Sequence, residues 1–167
     1  MALHEYFTAS PAIGRLLTGW SHLYRHTAVN TAVTYLHLVG IMVGGGVAVA
    51  TDRASLRLSP ATPDWSAELA RLASVHRWVL TGLGLIFATG SLMALADLGG
   101  VMTSAVFWVK MGLVGLLLAN GYLRMRSETA LRQGVSNAWP GFRRTSAASL
   151  VLWFVVLLAG ALLHSTL

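Results

Sequence analysis

The sequence predicts an all-α integral membrane protein: a four-transmembrane-helix bundle led by an N-terminal interfacial helix, with both termini outside. Three observations predict it. Of 167 residues, 55% are hydrophobic and only 11% charged, with a mean hydropathy of +0.64; the charged fraction is less than half that of a soluble domain. Four apolar runs, residues 31–50, 78–96, 106–123 and 145–163, are long enough to cross a bilayer as helices, since about twenty residues span the hydrocarbon. Finally, the basic residues segregate. Arg53, Arg57, Arg71 and Arg77 lie between runs one and two, and Arg124, Arg126, Arg132, Arg143 and Arg144 between runs three and four, whereas the other side offers only Arg15 and Arg25. Cytoplasmic segments near span ends carry the excess of arginine and lysine, so both termini are expected on the outer side.

Residues 1–29 form the first unit. "SPAIGRLLTGWSHLYRHTAVN" opens with a serine and a proline suited to a helix start and then mixes apolar and basic residues with Trp20 and Tyr24, the pattern of a helix lying among headgroups. Residues 30–167 form the transmembrane domain. Its first run starts too far in for a signal peptide and is followed by no small-residue cleavage site, so it is expected to be retained. Between runs one and two, "SPATPDW" reads as a turn and "SAELARLASVHRW" as a short helix entering the second span. The "LRMRSETALRQG" stretch after run three reads as a basic cytoplasmic helix. There are no cysteines, which excludes disulfides, thiolate metal sites and covalent c-type haem. The net charge of +6 reflects topology in a four-span chain; the partner it implies is the lipid bilayer and not nucleic acid. No nucleophile with a base, carboxylate pair or phosphate loop is visible.

Two polar residues interrupt the apolar runs. His37 lies about six residues from the outer end of span one, about 10 Å deep, where an imidazole must face the bundle interior or a wet cavity. Gly40 and Gly44 share its helical face at offsets of three and seven. Either these glycines form a GxxxG contact with a neighbouring helix while His37 makes one interhelical hydrogen bond, or the cleared surface admits a flat cofactor whose metal His37 ligates. Lys110 lies at a matching depth in span three. It would either snorkel to the interface or pair with an anion, such as a haem propionate, a substrate carboxylate or Asp97 at the outer end of span two.

The other histidines supply a separate, copper-binding alternative. His4, His22, His26 and His164 lie near the outer surface and His76 near the inner one. His22 and His26, at i and i+4, would share a helical face at a spacing compatible with metal. His164 is a candidate second axial ligand if span four reaches deeper than drawn. If the initiator methionine is removed, Ala-Leu-His would offer a square-planar nitrogen site at His4 for Cu(II) or Ni(II). Near the inner end of span three, Asn120 suits interhelical hydrogen bonding.

"LHLVG" in span one, "TDRASLRL" after it, "FWVKMG" opening span three and "LLLANGYL" closing it resemble the small four-span membrane proteins of the DUF2214 and DUF6644 kind. More distantly, they are similar to the CopD copper-resistance domain and the HemJ-type protoporphyrinogen oxidases. The likeness covers about residues 20 to 125. It implies a helical bundle in a bacterial inner membrane. The HemJ pattern associates a span-one histidine with haem b and carries a span-three lysine, matching His37 and Lys110; its further histidine near the end of span three is replaced here by Asn120 and Tyr122. The CopD likeness implies copper handling by the outward histidines. Three functions are therefore carried forward: a haem b protein in electron transfer or oxidoreduction, a copper binder or importer, and a non-catalytic accessory subunit with membrane-protein partners or a second copy of itself.

Overall fold

A computed structural model describes residues 11–166, which are helical throughout with short connections and no strand. Helix α1 (Pro11–Tyr24) is followed by an extended residue, His26 (φ −67°, ψ 126°), and then by α2 (Thr27–Gly40). A π-helical segment, Ile41–Gly46, joins α2 to α3 (Val47–Arg57), so span one is a single rod over Thr27–Arg57. Helices α4 (Trp65–Ser74) and α5 (His76–Ala96) follow, then the short α6 (Leu98–Thr103), α7 (Ala105–Arg132) and α8 (Trp139–Thr166). Four helical segments are thus long and apolar enough to cross a membrane. The basic stretch after run three is helical through Arg132, as expected, and continues α7 without a break, because nothing between Leu123 and Arg132 is a helix breaker.

Polar side chains set the boundaries. Asp97 accepts from the Gly100 amide at 3.1 Å to start α6, and Ser104 accepts from Phe107 at 3.4 Å to start α7; each satisfies a donor that a helix leaves unpaired at its N-terminus. Beyond α7, Gly134 takes φ +82°, a left-handed conformation suited to glycine.

Across the bundle the spans run in the order two, one, four, three. Span one packs on α5 through α2 and the π-helical segment, and on α8 through α3, while α7 lies along α8. Ala48, Leu117 and Trp153 form a buried core contributed by spans one, three and four, with Leu83 and Ile86 of span two against it. A second core lies at the arginine-bearing end. There Leu69 and Leu72 of the amphipathic α4 pack with Leu131, Trp139 and Phe142, tying the connection between spans one and two onto the ends of α7 and α8. Large apolar side chains such as Phe87 and Met42 point outward, as lipid-facing residues must. At the terminus-bearing end, α1 is pinned by its Trp20 indole, which donates to the Leu92 carbonyl at 2.8 Å.

Candidate functional site

The three glycines that end the His37 run each do something different. Gly40 and Gly44 face α5: a Cβ on either would lie 3.0–3.1 Å from Gly82 or Ile86 atoms. Gly82 faces back, and a Cβ there would overlap the Gly44 backbone. Gly45, one step on, presses on the Trp153 ring of α8, with its Cβ position 3.1 Å away, while Gly46 faces open space. A π turn carries an extra residue and re-aims those around it, so span one is gripped on adjacent faces by spans two and four. The GxxxG contact is therefore the arrangement found. The surface cleared by Gly40 and Gly44 is filled by the backbone of α5, and the expectation that it admits a flat cofactor is corrected on that ground: small residues let two helices approach, and the approach uses up the space.

His37 lies on the same face. Its Nδ1 is 2.8 Å from the Thr89 hydroxyl. Thr89 is buried, and its hydroxyl donates to the Leu85 carbonyl at 2.6 Å. A hydroxyl has one proton. With that proton directed to Leu85, the Thr89 oxygen is free to accept from Nδ1–H of His37, the arrangement that leaves Nε2 unprotonated. The imidazole is held at its Nδ1 edge by span two.

Lys110 projects from span three toward span four. The side chain is half-buried and lies against Gly160 of α8, whose Cβ position is 3.4 Å from Nζ. Asp97, the protein partner considered for it, caps α6 instead. Asp52, Glu68 and Glu128 are paired with arginines, and among the described residues Lys110 has no hydrogen bond or ion pair. An ammonium at this depth is left needing an anion.

The remaining predicted ligands are not brought together. His22 and His26 are exposed and stand on opposite sides of the break after Tyr24, so the shared face assumed for them, which requires a continuous helix, does not form. His164 is exposed near the end of α8; His4 lies outside the described residues. Among the described residues no three potential ligands of the His, Cys, Asp and Glu types cluster. Asn120 donates to the Thr145 carbonyl at 2.9 Å, the interhelical bond expected of it.

Sequence reasoning missed a buried ionic cluster. Arg124, counted there only as a topological charge, is buried and pairs with Asp52 at 2.8 Å. It donates to Ser55 at 3.0 Å and Ser146 at 3.3 Å, lies over the Phe142 ring at 5.5 Å and reaches Glu128 at 3.7 Å. Glu128 in turn holds Arg132 at 3.1 Å, and Asp52 bonds Ser149. The available signal was the "TDRAS" spacing, which puts Thr51, Asp52 and Ser55 on neighbouring positions of one helix face.

No family model matches the chain, and neither does any curated protein or solved structure.

Proposed function

We propose that the protein is an integral membrane haem b-binding protein of a bacterial inner membrane, its termini on the periplasmic side, with His37 as an axial ligand through Nε2 and Lys110 pairing a propionate. The observation that supports this reading is the state of His37. A metal-ligating histidine characteristically donates its other ring N–H to a fixed acceptor, which sets the tautomer and orients the lone pair, and Thr89 supplies that acceptor here. Lys110 has no anionic partner among the described residues, and a propionate is an anion. The likeness of "LHLVG" and "FWVKMG" to the HemJ pattern points the same way. The arginine asymmetry supports the orientation. Bound haem would supply one-electron chemistry; the chain's own part would be to present the His37 imidazole and to neutralise a propionate.

Detergent-purified protein reconstituted with haem is expected to show a Soret band that His37→Ala abolishes. Thr89→Val should keep the band while weakening binding about 10–100-fold, the usual cost of losing an outer-shell partner. Lys110→Gln should weaken it about tenfold, the equivalent of about 1.4 kcal/mol. A wild-type protein with no Soret band after reconstitution ends this reading.

A second reading, a non-catalytic accessory subunit, is favoured by span three. Gly112 and Gly115 are exposed and meet nothing within 4 Å, so a helix of a partner or of a second copy can approach there. Its mark is a defined complex that survives His37→Ala and is lost in Gly112→Leu/Gly115→Leu.

A further inference from the structure

The arginine-bearing end has more positive charge than its own acids can balance. Nine arginines stand there against Asp52, Asp64, Glu68 and Glu128. Three of those acids are engaged by Arg71, Arg124 and Arg132. Arg53, Arg57, Arg77, Arg126, Arg143 and Arg144 are exposed and have no carboxylate partner among the described residues. Residue choice adds to this. Lys110 is the one lysine among twelve basic residues, so every cation at this end is a guanidinium, the planar group that meets a phosphate with two parallel N–H donors.

Two of the six are built into the flank of the bundle. Arg77 lies over Trp78 at 5.5 Å, and Arg126 over Tyr122 at 5.9 Å. Both rings are about half exposed, Trp78 by 49% and Tyr122 by 56%, and both sit where an apolar run meets a charged segment, the level of a headgroup belt. They belong to spans two and three, the two outermost in the bundle order. Stacking fixes the face of each guanidinium and leaves its N–H edge to donate. Neither guanidinium donates a hydrogen bond among the described residues.

We propose that this end binds the phosphates of anionic phospholipid headgroups, with Arg77 on Trp78 and Arg126 on Tyr122 as the two principal contacts. The occupant is a lipid and not a soluble anion, because the rings flanking each guanidinium are exposed beside lipid-facing apolar surface, where acyl chains lie. Arg53, Arg57, Arg143 and Arg144 add attraction at longer range.

The test is native mass spectrometry of the full chain released from nanodiscs of equal parts phosphatidylglycerol and phosphatidylcholine. Wild type is expected to retain phosphatidylglycerol preferentially, R77Q/R126Q to lose about tenfold of that preference, and R15Q/R25Q, at the opposite end, to keep it. Added inorganic phosphate should displace nothing. Should the double variant fail to fold, R77K and R126K keep the charge without the stacked fork, and each is expected to reduce the preference. Equal retention of the two lipids by wild type, an unchanged preference in folded R77Q/R126Q or in both lysine variants, or displacement by inorganic phosphate would overturn the proposal.

Discussion

Arg124→Ala is expected to lower the stability of the protein by about 3–5 kcal/mol, the cost of breaking a buried ion pair from one side. The substitution strands Asp52, which is 2% exposed, and removes the donor to Ser55 and Ser146. Asp52→Ala strands the guanidinium, but Glu128 remains near it at 3.7 Å, so the loss there is expected to be smaller. The double variant Asp52→Asn/Arg124→Gln, which leaves no buried charge unpaired at that contact, should recover much of the loss. Thermal unfolding in detergent reads all three. An Arg124→Ala protein as stable as wild type would show that the cluster contributes nothing to holding spans one, three and four together.

The second large effect is at Gly82. Gly82→Leu is expected to prevent the close crossing of spans one and two, since even a Cβ there overlaps the Gly44 backbone and neither backbone can yield without moving its helix. Gly82→Ala alone should cost about 1–3 kcal/mol, as overpacking does. Thr89 lies two turns along the same helix, so a shift there is expected to loosen its bond to His37; under the proposed haem reading, the Soret band of reconstituted protein is expected to weaken in Gly82→Ala together with stability. Gly84→Ala is the control. Nothing lies within 4 Å of its Cβ position, and alanine is the better helix former, so that variant should be at least as stable as wild type.

The sequence by itself determined that the chain has four helices able to cross a membrane, and nearly where each lies, because hydrophobic length is a property of a single stretch of chain. It also gave His37 and Lys110 similar expected depths, since depth follows from counting residues along a rod of known rise. What counting cannot supply is the neighbour of each face. Whether Gly40 and Gly44 clear room for a ligand or for a helix depended on Gly82, and that glycine, some forty residues away, became relevant only once spans one and two crossed. Whether Arg124 was a headgroup charge or a buried one depended on Asp52, Ser55 and Ser146 arriving from two other spans. A charge near a span end satisfies the topology rule in either state, so composition could not separate them. The partner of His37 was decided in the same way, by a threonine that only the crossing of spans one and two brings to it. Elements were legible because they are local; contacts between them were not, because each is made by residues that only packing brings together.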